Sequence, residues 1–110
     1  MRVGRNWIMR ICFHLRVRPS RLDEYKRIHQ AVWPDVLAEL KRAGVRNYSI
    51  FMWEEGHEFG FLECDDWAET SRRLGESAVM RRWEEFMAGF LETPVGPGGP
   101  RLLEEVFRLD

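Results

Sequence analysis

The sequence has no long hydrophobic run and only two cysteines. Its longest apolar stretch falls far short of the roughly 20 residues that a membrane-spanning helix needs, and Arg10 comes before a continuous signal-peptide core could form. Cys12 and Cys64 lack metal-type spacing and lie in apolar, strand-like segments, which favours buried, reduced thiols over a disulfide. We therefore expect a soluble, cytoplasmic protein with no membrane partner.

The sequence also lacks a charge excess and the motifs of several enzyme classes. Its 17 basic and 18 acidic residues give a net charge of −1, which attracts neither nucleic acid nor an anionic membrane surface. It contains no G-x-S-x-G nucleophile elbow and no G-x-x-x-x-G-K-[ST] phosphate loop, and its histidines and cysteines do not have the spacing of zinc or iron motifs. We therefore expect no metal, no nucleic-acid partner, and neither acyl chemistry nor nucleotide hydrolysis.

Hydrophobic residues make up 45% of the chain and aromatic residues 13%, which is ample for one packed core in 110 residues. The Pro/Gly-rich stretch 94–100 is interpreted as a loop and not as a domain linker, because the 10 residues after it are too few for another domain. We expect a single domain over residues 1–110.

The first half of the chain predicts a strand followed by a broken helix. Apolar side chains recur at every second position from Trp7 to Val17, which is the period of a half-buried strand. Ser20 is placed as a helix N-cap, with Asp23 in capping-box position. The helix should run from Arg21 to Gly44, and Pro34 should kink or split it.

The second half predicts an antiparallel hairpin, a second broken helix and a last strand, each recognised by its apolar period and its flanking turn residues. In order, these segments are strands Val45 to Trp53 and Glu58 to Cys64, a helix capped by Asp65 and Asp66 through Leu74, a helix from Ser77 to Leu91, and a strand from Leu102 to Leu109.

The order β-α-β-β-α-β is that of the ferredoxin-like split β-α-β fold, an α+β class in which helices cover one face of a four-stranded antiparallel sheet. Yet both faces of the first two predicted strands are apolar, as Ile8 and Met9 show in one and Ile50 and Phe51 in the other. A second copy of the chain is the simplest cover for the bare face, because two-fold homo-oligomers are the commonest assemblies. We therefore expect a homodimer of the dimeric α/β-barrel type.

Tyr25 and His29 are suited to acid/base chemistry. They are four positions apart on the predicted helix, so their side chains share one apolar face. A histidine with an unperturbed pKa of about 6.5 can donate and accept a proton near neutral pH. Tyr48 and Trp83 carry rings with polar tips, which commonly form the walls and hydrogen bonds of carbohydrate pockets. Spacing alone leaves an alternative open, because such residues are more often ordinary core members.

A resemblance to the L-rhamnose mutarotase family runs through four blocks of the sequence. They are Tyr25 to Val36 (YKRIHQAVWPDV), similar to the family's Y-x-x-x-H-x-x-[IV]-W-P-[ED] signature; Gly44 to Ile50 (GVRNYSI), similar to G-x-x-N-Y-x-I; Met80 to Met87 (MRRWEEFM), similar to R-W-W-x-x-M; and Leu103 to Leu109 (LEEVFRL), similar to L-x-E-V-F-x-L. The similarity spans nearly the whole chain.

The resemblance implies a dimeric α+β isomerase that needs no cofactor and interconverts the α and β anomers of an L-sugar, first of all L-rhamnose. It implies His29 as the proton donor and Tyr25, Tyr48 and Trp83 as contacts to the monosaccharide. Where the family typically has a second sugar-binding tryptophan, this chain has Glu84, which would offer a carboxylate acceptor instead. L-fucose or another aldose therefore stays open as the substrate, because epimers are distinguished by the hydroxyls that a pocket can pair.

Two alternatives come from other classes of protein. An RNA-binding module shares the element order, and Phe59 to Leu62 echoes the aromatic core of its RNP1 strand, but Glu58 and Glu63 would repel phosphate on either side. A dimeric α/β-barrel monooxygenase or a ligand-binding protein on the same fold is the other alternative, because fold alone does not determine function.

Overall fold

The computed structural model describes residues 8–96 and 99–110. Their elements follow the predicted order, with each predicted helix divided in two. In chain order they are β1 (Met9–Arg16), α1 (Leu22–Ile28), α2 (Pro34–Arg42), β2 (Arg46–Trp53), β3 (His57–Cys64), α3 (Trp67–Glu76), α4 (Ala78–Ala88) and β4 (Arg101–Leu103), with 3₁₀ turns at Pro19–Arg21, His29–Ala31 and Glu54–Gly56. Among the helices that the structure describes, none combines the length and the hydrophobicity of a membrane-spanning segment.

The four strands form one sheet in the order β2-β3-β1-β4, and every neighbouring pair is antiparallel. The predicted ferredoxin-like fold is therefore confirmed. Helices cover one face, where Ile11 and Leu62 of the sheet pack with Leu40 and Trp67 of the helical layer. The predicted start of the first strand at Trp7 lies outside the described residues.

The first helix begins differently from the prediction. Ser20 is not its N-cap, because Pro19–Arg21 already forms a 3₁₀ turn and α1 starts one residue later than expected. Proline has a φ preset for helical turns, so the chain turns before Ser20 can adopt the extended conformation of a cap. The predicted break at Pro34 is confirmed, since Val32 and Trp33 are extended and α2 starts at the proline.

The second helical pair also departs from the prediction in its boundaries. Asp66 caps α3 as predicted, through a backbone N–H donated to its carboxylate. The helix then continues to Glu76 instead of ending at Leu74, because one internal glycine costs only about 1 kcal/mol. Ser77 is the N-cap of α4 and not its first residue. This helix ends before the predicted Leu91, which forms a bridge beside the end of β1.

The last strand is much shorter than predicted. β4 spans only Arg101–Leu103, and residues 104–110 are exposed and form no strand. The last residue of β4 lies opposite Cys12, so in the same register Val106 would lie opposite Met9, the first residue of β1, but residues 104–106 do not pair with β1. Strand pairing therefore ends before the apolar alternation of the sequence does, which leaves an exposed apolar tail.

Buried side chains form two clusters, and members of both wall one cavity. The cluster among the helices contains Val17, Tyr25, Val36, Met80, Trp83, Met87, Phe90 and Leu91, and the cluster on the sheet contains Ile11, Phe13, Val45, Leu62 and Cys64.

Gly60 of β3 makes room for the ring of Phe13, which lies opposite it in β1. A Cβ at position 60 would come within 2.1 Å of this ring, so a side chain there would displace it. Phe13 in turn meets the ring of Tyr48 edge-on, with centroids 6.1 Å apart. Because Gly60 has no side chain, Phe13 can take this position beside Tyr48 and form part of the cavity wall.

Candidate active site

A cavity of about 720 Å³ lies between the sheet and the helical layer. Small-molecule sites typically measure roughly 300–1,000 Å³ and combine apolar walls with a few polar groups. The apolar walls here include Phe13, Leu15, Ile50, Met80, Met87 and Leu91. The predicted loop contributes Pro94, Val95, Gly96, Gly99 and Pro100 to one side of the cavity.

His29 lies in the 3₁₀ turn that follows α1, and its ring is fixed by the chain itself. Its Nδ1 lies 2.9 Å from the carbonyl oxygen of Tyr25. A carbonyl oxygen can only accept, so Nδ1 carries the proton of this hydrogen bond. The other ring nitrogen, Nε2, has no protein partner among the described residues, and the side chain lines the cavity.

Aromatic rings hold His29 from two sides. Its ring centroid is 4.3 Å from that of Tyr25 and 5.8 Å from that of Trp83. Trp83 is supported by Trp33 at 5.0 Å, and Trp33 stacks on Phe86. Because Pro34 ends the helical conformation, Trp33 can reach this position from an extended segment.

A buried carboxyl group, which sequence reasoning did not identify as a site residue, lies in the same cavity. Glu58 is 1% exposed and accepts a short hydrogen bond from the Tyr25 hydroxyl. Burial raises the pKa of the Glu58 carboxyl, while the Tyr25 hydrogen bond and the charge of His29 act in the opposite direction. Burial, and next the charge of Glu58, raise the pKa of Tyr25, so this side chain is a phenol at neutral pH.

One sequence signal could have identified Glu58. Along β3 the side chains alternate, and Glu58 shares the buried face with Gly60, Leu62 and Cys64. A carboxylate on the apolar face of a strand is rare unless it is paired.

The remaining predicted site residues contribute further polar atoms. Tyr48 lines the cavity from β2, and 37% of the residue is exposed. Burial of its hydroxyl end, and next the charge of Glu58, raise its pKa. No described residue forms a hydrogen bond with its hydroxyl or with the indole N–H of Trp83, and both side chains line the cavity. Glu84 lines the cavity next to Trp83 on α4, and burial raises the pKa of its carboxyl against the opposing effect of Arg81.

The structure thus places His29, Tyr25, Tyr48, Trp83 and Glu84 around one cavity. His14 and His57 lie elsewhere, on the opposite face of the sheet, where their rings stack and His14 Nε2 is 2.9 Å from His57 Nδ1. Across residues 8–96 and 99–110, no three His, Cys, Asp or Glu side chains are grouped as metal ligands would be.

A ferredoxin-like α+β domain whose cavity contains a fixed histidine, two phenols and two carboxyl groups is built as an enzyme that moves protons on a small polar molecule. The model of the L-rhamnose mutarotase family matches residues 10–109, so the chain belongs to this family. A curated L-rhamnose mutarotase from Burkholderia ambifaria is 36% identical over 103 residues, which cover 91% of this chain and 97% of that protein.

Solved structures agree with this assignment. The crystal structure of an L-rhamnose mutarotase from Formosa agariphila superposes with a TM-score of 0.76 at 29% identity, covering 93% of this chain and 99% of that one. A candidate antibiotic biosynthesis monooxygenase from Caulobacter crescentus has a TM-score of 0.59 at 14% identity, covering 78% of this chain and 80% of that one. The second similarity shows the fold alone.

Replacement of Tyr25 by phenylalanine should destabilise the protein in a pH-dependent way. The variant leaves the buried Glu58 carboxylate without its donor, which costs about 1–3 kcal/mol of unfolding free energy at pH 8. Burial raises the pKa of Glu58 in the folded state above its unfolded value of about 4.3. The free energy of unfolding therefore falls as the pH rises from the unfolded pKa through the folded pKa. Tyr25→Phe should lose more of this free energy over that pH range than the wild type does, because its ionised Glu58 has no donor.

Urea unfolding of wild type and variant at pH 4 and pH 8 measures this difference. Tyr48→Phe is the control, because the Tyr48 hydroxyl has no protein partner in the described chain, and it should change stability little at either pH. An equal loss for Tyr25→Phe at both pH values would contradict the role assigned to the hydrogen bond.

Proposed function

We propose that this protein interconverts the α and β anomers of L-rhamnose by general acid/base catalysis, with His29 as the proton donor. The observation that carries the proposal is the hydrogen bond from His29 Nδ1 to the Tyr25 carbonyl, at 2.9 Å, which leaves Nε2 available to a ligand in the cavity. Membership of the L-rhamnose mutarotase family supports the reaction and the sugar.

The reaction requires a proton on the ring oxygen when the C1–O5 bond breaks, and loss of the proton of the anomeric hydroxyl. The open-chain aldehyde then rotates about C1–C2 and closes on its other face. A positioned histidine can supply the ring-oxygen proton, which contributes about 10² to 10⁴ in rate. Apolar walls such as Leu15 and Met87 reduce competition from bulk water.

Tyr25, Tyr48, Trp83 and Glu84 are the proposed contacts to the sugar. Trp83 offers an apolar ring and an N–H to a molecule that has both C–H faces and hydroxyl groups. Tyr48 can donate to a sugar oxygen, and Glu84 can accept from a sugar hydroxyl. Since Glu84 takes the place of an expected aromatic contact, L-fucose is the second candidate substrate.

We also propose a homodimer that forms through the face of the sheet opposite the helices. This face carries Phe51 and Trp53, whose exposed fractions are 62% and 63%, together with Phe59 and Phe61. Monomeric proteins rarely expose large contiguous apolar patches. A second copy is the proposed cover, because a two-fold interface pairs the same patch with itself.

The C-terminal tail supports the same assembly. Val106, Phe107 and Leu109 are 84%, 78% and 84% exposed, and none of them is paired in a strand within the described residues. Packing these side chains on a partner subunit would remove apolar surface from water, at about 25 cal/mol per Å².

A cytoplasmic location completes the proposal. Cys12 and Cys64 are both free thiols, and Cys64 is fully buried. Cys12 lies opposite Phe61 and Cys64 lies opposite Met9 in the sheet, so the two thiols are separated along the strands. Unpaired cysteines of this kind are typical of a reducing compartment.

Replacement of His29 by alanine should reduce anomer exchange of L-rhamnose by about 10² to 10⁴ without unfolding the protein, because the proton donor is lost. Saturation-transfer NMR measures the exchange rate, and a thermal midpoint verifies folding. His14→Ala and His57→Ala are the matched controls, since both residues lie on the other face of the sheet, and they should keep their rate per folded molecule. A folded, fully active His29→Ala protein would exclude this mechanism.

Replacement of Glu84 by tryptophan should change the preference among L-sugars. The variant exchanges a charged acceptor for an apolar ring, and a hydrogen bond to a charged group contributes about 1.5–3 kcal/mol, so the L-rhamnose to L-fucose ratio of kcat/KM should change about tenfold or more. Glu85→Trp is the control, because Glu85 is the neighbouring residue and is not among the residues that line the cavity. Unchanged ratios for Glu84→Trp would place Glu84 outside the sugar site.

Light scattering should give twice the chain mass for the wild-type protein at micromolar concentration. Phe51→Asp should yield a monomer, because it puts a charge into the proposed apolar interface. Leu37→Asp is the control, since Leu37 is comparably exposed, at 47%, but lies on α2 in the helical layer. A wild-type monomer, or equal dissociation by both variants, would rule out this interface.

A further inference from the structure

The carboxyl group of Glu58 is only half used by the protein. One oxygen, Oε1, accepts the hydrogen bond from the Tyr25 hydroxyl. The other oxygen, Oε2, has no hydrogen-bond partner among the described residues. Every side-chain oxygen or nitrogen that is sealed from solvent in these residues does have a partner, so Oε2 is not sealed from solvent. Since Glu58 lines the cavity and is otherwise buried, this second oxygen opens to the cavity.

Few groups in the cavity can take up a proton at neutral pH. Tyr25 and Tyr48 are phenols, because burial and the charge of Glu58 raise both of their pKa values. His29 is the proposed donor, so it cannot also be the acceptor in the same step. The two candidates left in the described walls are Glu58, which is linked through Tyr25 to the His29 ring, and Glu84, which is part of the more exposed surface of α4.

We propose that Glu58 is the base that opposes His29, an inference that rests on the proposed mutarotase function. The proton of the anomeric hydroxyl passes to the free oxygen of Glu58, and the electron pair of that O–H bond forms the C1=O1 double bond. The C1–O5 bond breaks, its electron pair goes to O5, and O5 takes the proton from His29 Nε2. Glu58 and His29 are then both neutral, and the bound sugar is an open-chain aldehyde.

Ring closure reverses these transfers. After rotation about C1–C2, the O5 hydroxyl returns its proton to His29 and attacks the other face of C1, while O1 takes the proton back from Glu58. The pair regains its starting charges, so no further acid, base or cofactor is consumed. Each residue acts once as a donor and once as an acceptor, as microscopic reversibility requires.

The surroundings of Glu58 suit this role. Burial makes its carboxylate a stronger base than one in water, while the hydrogen bond from Tyr25 and the charge of His29 keep it ionisable. Besides these two groups, Tyr48 faces it from β2 and Glu84 lines the same cavity from α4. Only the ionised form can accept the proton, so the exchange rate should fall on the acid side as Glu58 becomes protonated.

Glu58→Gln tests the assignment, because glutamine keeps the shape and an acceptor for the Tyr25 hydroxyl but cannot take up a proton. We expect L-rhamnose exchange to drop by about 10² to 10⁴, the KM to stay within a few-fold, and the fall of rate on the acid side to disappear. Glu85→Gln is the matched control, because Glu85 does not line the cavity, and it should retain both the full rate and the acid-side fall. Glu84→Gln tests the other carboxyl group: its effect as a sugar contact should appear in the KM, and it should keep the acid-side fall.

A second variant covers the case in which glutamine prevents folding. Tyr25→Phe/Glu58→Leu removes both partners of the buried hydrogen bond, a change that is often nearly neutral for stability. Its exchange should be at least 10²-fold slower than that of Tyr25→Phe alone, which retains the base.

Different results would contradict the proposed mutarotase function and the role of Glu58. A wild-type protein that exchanges no aldose anomers would overturn the proposed function together with the role of Glu58. An active wild type with a fully active Glu58→Gln variant, or one that keeps its acid-side fall, would overturn the role of Glu58 alone. A loss of kcat and of the acid-side fall in Glu84→Gln alone would assign the base to Glu84 and would also overturn the role of Glu58.

Discussion

The hydrogen bond from the Tyr25 hydroxyl to the buried Glu58 carboxyl joins the helical layer to the sheet in the wall of the cavity. A buried carboxyl group without a hydrogen-bond donor would lower the stability of the fold, so α1 must stay close enough to β3 for this hydrogen bond to form. Tyr25 then acts in three ways at once. Its hydroxyl holds Glu58, its carbonyl oxygen accepts from His29 Nδ1, and its ring lies 4.3 Å from the His29 ring. The positions of both proposed proton-transfer groups therefore depend on one tyrosine.

The break in the helix before Pro34 completes this arrangement. In a continuous helix, Trp33 would point in a different direction. Because Trp33 precedes Pro34, it is extended, and its ring packs against Trp83 and Phe86. Trp83 in turn faces the edge of His29. The histidine is thus held by a hydrogen bond on one nitrogen and by aromatic packing around the ring, and its second nitrogen stays available. Such preorganisation is what general acid catalysis requires of its donor.

Much of the fold and part of the site could be predicted from the sequence because their causes are local. Strand alternation, the Pro34 break and the left-handed Gly44 are properties of short segments, and the spacing of Tyr25 and His29 places both on one side of the chain. The end of β4 at Leu103 could not be predicted, because the apolar alternation of the sequence continues beyond the last residue that pairs with β1. Ser20 failed as a cap because Pro19 turns the chain first. Strand alternation could mark Glu58 as a buried carboxyl group, but its partner Tyr25 becomes evident only when β3 faces α1.

Register along β3 decides which chemistry lies on which face of the sheet. The strand sends Glu58, Gly60 and Leu62 toward the helices, while His57, Phe59 and Phe61 point to the opposite side, so a slip of one residue would exchange the proposed base for an aromatic ring. Gly56 opposes such a slip. It has a φ of 82°, its carbonyl accepts the Val17 N–H at 2.7 Å, and a Cβ there would lie 2.0 Å from the Val17 carbonyl oxygen. The position just before β3 is therefore fixed against the end of β1 by backbone contacts that no other residue type can make. A turn glycine outside the cavity thereby sets the orientation of the carboxyl group inside it.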